Sequence, residues 1–261
     1  MIYAKPIWMS KLKKQAGQKA RSRPSRSRKG GSAQQDLPFP KGRGGKRKGA
    51  GAKSKDGKKR VSHRKREALT SRSPVHVTIG LRKGLPELRC LPCEELIRAC
   101  LVAMQSSAAA LGGEAFRIVH YSIQNTHLHL LVEASDAAAL AKGMQGLKIR
   151  IAKGLNKLWE RRGSIFADRY HACILTSPKR VRNAILYVLK NAWHHGERVR
   201  AALDRFASGW CFDGWLETVH VRGAEDVAIP VSKPCSWLLS IGWWKIHGRL
   251  SVYERAARSA P

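Results

Sequence analysis

The sequence predicts an α+β domain of the ferredoxin-like kind, an antiparallel sheet with helices on one face, preceded by a disordered basic arm. Three observations predict it. Short segments alternate apolar and polar residues with the period of two expected of half-buried strands, and longer segments repeat apolar residues every three or four, as amphipathic helices do. Read along the chain, these segments run strand, helix, strand, strand, helix, strand, helix, which is the order of a split βαβ sandwich with one added helix. The first 73 residues show neither period and hold about half of the Lys and Arg.

The arm, residues 1–73, is rich in Gly, Ser and Pro, as in RSRPSRSRKGGS and KGRGGKRKGAGAKSKDGKKR. Such a composition buries too little apolar surface to offset the entropy of ordering. VHVTIGL, Val75 to Leu81, puts Val75, Val77, Ile79 and Leu81 on one face of a first strand. From Pro92 a helix carries Leu96, Ile97, Cys100, Leu101, Met104, Ala108 and Leu111 on its apolar stripe and stops at Gly112-Gly113. FRIVHYSI, Phe116 to Ile123, is the second strand, with Phe116 and Tyr121 on opposite faces, and HLHLLVE, His127 to Glu133, the third. Ser135 then caps a long helix striped by Leu140, Met144, Leu147, Ile151, Leu155 and Leu158, with Lys142, Lys148, Arg150, Lys153 and Lys157 on its other faces. His171 to Leu175 is a fourth strand. Ser177 caps and Pro178 opens a last helix, running to His194-His195-Gly196. The core domain spans residues 74–200, and residues 201–261, with Trp237, Trp243 and Trp244, form an extension whose fold the sequence does not reveal.

Charge and cysteine usage narrow the function. A formal charge of +32 on 261 residues attracts polyanions by counterion release, so nucleic acid is the expected partner. On a mobile chain the arm's charges would tether DNA without choosing sequence. The six cysteines lack the paired spacing of a zinc ribbon or disulfide framework, Cys90 and Cys93 forming a lone C-x-x-C. A reducing cytosol fits them. No apolar stretch is long enough for a membrane span and the first residues do not read as a signal peptide, so the expected location is cytoplasmic with no membrane partner.

The candidate chemistry sits in IQNTHLHLLVEASD. His127 and His129, two apart in a strand, look the same way and can converge on one divalent cation, while Leu128 and Leu130 face the core. In the last helix the apolar stripe is Val181, Ala184, Ile185, Val188 and Ala192, and Tyr187 is off it. Tyr187 stands in a row with Asn183 and Asn191 at a spacing of four, among amides rather than core residues.

THLHLLVE, RRGSIFADRYHACIL and VRNAILYVLKNAWHHG together resemble the single-tyrosine HUH transposases, and most nearly the REP-associated tyrosine transposases of bacteria. The resemblance spans about Pro74 to Gly196 and implies an HUH-type fold. It matches His127 and His129 to the metal ligands, Asn191 to the polar residue that completes metal binding, and Tyr187 to the nucleophile. It implies Mg²⁺ or Mn²⁺ as cofactor and a single-stranded DNA substrate beside a hairpin, in inverted repeats. The implied activity is cleavage and rejoining through a 5′-phosphotyrosine. Lys148, Arg150 and Lys153 would contact phosphates. A bacterial, nucleoid-associated protein, monomeric or homodimeric, is implied. Relatives commonly place Asn directly before the first His, whereas this chain has Thr126 there and Asn125 one earlier. Two rival readings remain: a non-catalytic hairpin DNA or RNA binder on the same sandwich, which would need exposed aromatics on central strands, and a zinc hydrolase taking His120 or His171 as third ligand.

Overall fold

A computed structural model describes residues 68–110, 115–194, 202–219 and 228–255, without the side chains of 106–110 and 193–194. The described residues belong to one compact unit, Ser54–Pro261. Most of the expected arm, residues 1–67, lies outside them, as do Gly112-Gly113 and the expected helix terminus at His195-Gly196.

The elements are β1 (Val75–Gly80), α1 (Leu91–Ala110), β2 (Phe116–Ile123), β3 (His127–Ala134), α2 (Ala137–Leu158), β4 (His171–Ile174), α3 (Pro178–Leu189), α4 (Asn191–His194) and α5 (Trp243–His247). The strands form a four-stranded sheet in the order β2-β3-β1-β4 with all neighbours antiparallel. That order interleaves two βαβ units, β1-α1-β2 and β3-α2-β4, so the sheet is ferredoxin-like as the sequence predicts.

Period two decides what each face of the sheet meets. Val75, Val77 and Ile79 of β1 and Leu128, Leu130 and Val132 of β3 bury against α1 and α2, sharing a core with Ile97, Leu101, Met144, Leu147, Ile151 and Leu155. Each such side chain contributes about 1.5–3 kcal/mol by leaving water. Leu158, expected on the same stripe, is 38% exposed at the last residue of α2, where no further turn covers it. The cap of α2 is Asp136 rather than Ser135. Its carboxylate accepts from the N–H groups of Ala138 and Ala139 at 2.7 and 2.8 Å, and the Ser135 hydroxyl donates to that same carboxylate.

The helices were expected on one face; α1 and α2 keep to it, and α3 covers the other. The reason is that the second face is also apolar where it matters, through Val119 and Leu131, and α3 buries Val181, Ala184, Ile185 and Val188 against it. Leu186 and Leu189, off the expected stripe, are buried too, because a third layer lies over α3: Trp215, Leu239, Trp243, Leu250 and Val252. The residues after 200, which the sequence left without a fold, thus share a core with α3. A β-bulge between Ile118 and His120 puts both Val119 and His120 on the face opposite α1 and α2, Val119 among the α3 side chains and His120 against Ser208 and Phe212. It also brings Phe116 and Tyr121, expected on opposite faces, to the α1/α2 side.

Two clips tie the C-terminal layer down. Glu133 of β3 accepts from the backbone N–H groups of Cys235 and Ser236, both at 2.8 Å, where the chain enters a π-helical turn, Leu238–Gly242, that continues into α5. Lys190, which ends α3 with φ −112° and ψ 14°, is buried, and its ammonium donates to the carbonyls of Ala202 and Val252. The helix expected to run unbroken to His194 is therefore interrupted between Tyr187 and Asn191.

Candidate active site

The second face of the sheet holds the polar residues that the strand periods leave over. His127 and His129 of β3 stand side by side on it, their ring centroids 4.7 Å apart and the rings nearly perpendicular at 86°. Antiparallel register sets Thr78 of β1 opposite His129. Thr78 Oγ1 lies 3.2 Å from His129 Nδ1, and His76 Nε2 lies 3.1 Å from the same nitrogen, with the two imidazoles stacked at 5.2 Å. Thr126, directly before the first histidine of the pair, puts its Oγ1 3.3 Å from His127 Nδ1. The turn keeps its backbone bonds: Asn125 O accepts from Leu88 N and Thr126 O from Leu81 N.

Tyr187 comes down onto this cluster from α3. Its ring meets His129 edge-on at 5.3 Å and His76 at 5.7 Å. Asn191 is fully buried one turn later; its carboxamide lies near enough to Tyr187 to act on the phenol, yet neither of its atoms makes a well-formed hydrogen bond among the described residues. A buried amide in that condition costs about 1–3 kcal/mol. The structure therefore sets His127 beside His129 and the Tyr187 ring against His129. It adds His76 and Thr78, which the sequence reading missed. The signal was there: in VHVTIGL, His76 and Thr78 alternate with the apolar residues and so share a face with the histidines of any paired strand.

Burial sets the protonation states. His76 is held down to about 4, by loss of water first and by the nearby His171 second, so it is a neutral imidazole at pH 7. Burial pushes the Tyr187 phenol up, against a smaller downward pull from the Asn191 amide, so the hydroxyl carries its proton until reaction. Burial also pulls the Lys190 ammonium down, against Glu217.

Two neighbouring imidazoles would leave a cation open positions for phosphate oxygens, and the buried Asn191 carboxamide carries the kind of oxygen that could join them. Such a set is not a closed structural zinc site. Among the described residues no three His, Cys, Asp or Glu side chains stand in metal-holding proximity, so neither His120 nor His171 completes a zinc site with the pair. His120 faces Ser208 and Phe212 instead.

Lys148, Arg150 and Lys153 lie on α2, across the sheet from the histidines. Lys148 is half-buried, donates to the Asp168 carbonyl at 3.0 Å and sits over the Phe166 ring, while Arg150 and Lys153 are exposed. A cavity of about 790 Å³ opens on that side between α2 and residues 163–170, away from the histidine cluster. No helix among the described residues is long and apolar enough to cross a membrane.

No protein-family model matches the chain, and no curated protein matches it. Among solved structures it is similar to a REP-associated tyrosine transposase bound to a REP hairpin, at 14% identity and a TM-score of 0.48, covering 67% of this chain and 100% of that one. It is also similar to a candidate transposase from Deinococcus radiodurans R1, at 13% identity and a TM-score of 0.33, covering 54% and 100%.

Proposed function

We propose that the protein is a tyrosine transposase-type enzyme that cuts and rejoins single-stranded DNA next to a hairpin, with Tyr187 as nucleophile. The observation that carries this reading is the meeting of Tyr187 with His129 and His76 on the covered face of the sheet, 5.3 and 5.7 Å ring to ring. A tyrosine serving only to cover the surface has no need of two imidazoles against its ring.

In this reading the Tyr187 oxygen attacks the scissile phosphorus and the phenol gives up its proton. The bond from phosphorus to the 3′ oxygen breaks, that oxygen takes up a proton, and the 5′ phosphate stays on the tyrosine. The phosphodiester is conserved as an ester of Tyr187, so a second 3′-hydroxyl can reverse the step without ATP. His127, His129 and Asn191 would hold Mg²⁺ or Mn²⁺, whose charge stabilises the phosphate and the departing oxygen. The phenol enters protonated, as any phenol does at neutral pH, and burial raises its pKa further; attack needs the phosphate held in line with its oxygen. The +32 charge supplies the long-range attraction for DNA. Arg150 and Lys153, on the far side of the sheet, would serve the hairpin stem rather than the cut, with Lys148 framing the nearby cavity.

A non-catalytic binder is the alternative, and the structure gives it less: helices cover both faces of the sheet, so Phe116 and Tyr121 present no open stacking platform. The test is a denaturing gel after incubating the full chain with labelled hairpin-bearing single-stranded DNA and Mn²⁺. A protein–DNA adduct that survives SDS and vanishes with protease supports the proposal. A shift seen only under native conditions supports the binder, and released product without adduct supports a hydrolase.

A further inference from the structure

Each histidine of the pair has the same ring nitrogen engaged from behind. For His127 it is Nδ1, 3.3 Å from Thr126 Oγ1; for His129 it is Nδ1 again, 3.2 Å from Thr78 Oγ1 and 3.1 Å from His76 Nε2. The partners come from different places, one the preceding residue in the turn and two from the neighbouring strand, yet they make the same kind of contact. A threonine hydroxyl accepts as well as donates, and a neutral imidazole nitrogen without its proton accepts.

We infer that Thr126, together with Thr78 and His76, positions the pair by holding both imidazoles in the tautomer that carries its proton on Nδ1, leaving each Nε2 as the bare nitrogen. The inference rests on the proposed reading only for its purpose. Two bare nitrogens on one face are what a divalent cation requires, and an imidazole in the other tautomer would present a proton there instead. It also gives Thr126 a role. Where relatives place an amide before the first histidine, this chain has a hydroxyl in reach of that histidine's ring. His76 and Thr78 are buried or half-buried parts of β1, so their contact with His129 is set by sheet register rather than by a mobile loop.

The experiment reads tautomers directly. Full-length protein labelled with ¹⁵N at histidine is examined without metal at about pH 8, where long-range nitrogen–proton correlations tell which ring nitrogen bears the proton. The wild type should show Nδ1–H for both His127 and His129. Thr126→Val should release His127 into a mixture while leaving His129 unchanged, and the double variant His76→Phe with Thr78→Val should do the reverse. Thr126→Ser and Thr78→Ser should restore the wild-type pattern, which a merely structural role would not predict. In a Mn²⁺ titration the Val and Phe variants should bind about 10–100-fold more weakly than the wild type, and the Ser variants like it. Wild-type histidines found as Nε2–H, or tautomers indifferent to all these changes, would overturn the inference. If the tautomers behave as stated and the wild type binds no Mn²⁺, the metal reading fails while the positioning role stands.

Discussion

Glu133→Gln tests whether the C-terminal layer belongs to the folded catalytic unit or merely rests on it. Glu133 is 5% exposed, and its two oxygens accept separately from the N–H groups of Cys235 and Ser236, each at 2.8 Å, with Arg117 Nε 3.8 Å away. Bonds from a donor to a charged acceptor contribute about 1.5–3 kcal/mol each. Glutamine keeps one oxygen but turns an NH₂ toward the other N–H, so one bond is lost, a buried donor faces a donor, and Arg117 loses its counter-charge. The expected loss is about 2–3 kcal/mol, which for a unit of roughly 200 residues lowers Tm by about 4–12 °C. The layer that Glu133 holds covers α3, so the variant should also loosen the helix that carries Tyr187. Urea unfolding followed by Trp fluorescence and by far-UV circular dichroism measures both. A single coincident transition shifted by that amount supports the account. A loss below about 0.5 kcal/mol, or a tryptophan transition that separates from the helical one, refutes it.

His120 makes stability depend on pH. Burial holds its folded pKa down to about 3, against about 6.5 when unfolded. Between those values the unfolded chain binds a proton that the folded chain excludes, so stability falls as pH is lowered, by about 1.4 kcal/mol per unit. His120→Gln should reduce that slope by one proton in unfolding series run between about pH 7 and 5, and an unchanged slope would show that His120 titrates normally. A Cβ at Gly143 would overlap the Phe116 ring, so Gly143→Ala should destabilise by on the order of 1–2 kcal/mol despite alanine's better helix propensity; a gain in Tm would contradict the packing. His127→Ala and His129→Ala should each abolish cleavage while native gels still show hairpin binding, and loss of binding in both would point to a role in DNA contact instead. Removing residues 1–67 should flatten the dependence of log K on log salt while leaving hairpin preference intact, as fluorescence anisotropy at several salt concentrations would show.

What was legible in the sequence is what depends on local periods. The alternation in VHVTIGL and HLHLLVE fixed which residues point to each face, and the three-and-four spacing found the buried stripe of α2 but for Gly143 and that of α3 but for Leu186 and Leu189, together with the off-stripe position of Tyr187. Long-range effects were not legible. The bulge at Ile118/His120 breaks period two by one residue, and with it the expected faces of Phe116 and Tyr121. The partnership of His76 and Thr78 with His129 follows from register, which no single strand states. The interruption of the last helix coincides with Lys190 turning inward to carbonyls at 202 and 252, partners remote in sequence. Helices on both faces follow from the same cause, since the apolar Val119 and Leu131 need α3 and its covering layer to bury them.

The central claim is that the Tyr187 oxygen becomes covalently joined to DNA, and mapping the adduct tests it most directly. Full-length protein is incubated with Mn²⁺ and a single-stranded substrate bearing its hairpin, denatured, digested with nuclease and trypsin, and read by tandem mass spectrometry. The account predicts that the peptide of residues 183–190, NAILYVLK, carries a 5′-linked nucleotide on Tyr187. Tyr187→Phe, which keeps the ring and removes one oxygen, should bind the same DNA and give no modified peptide. Nucleotide on another residue of the wild type, or an undiminished adduct in the Phe variant, would contradict it.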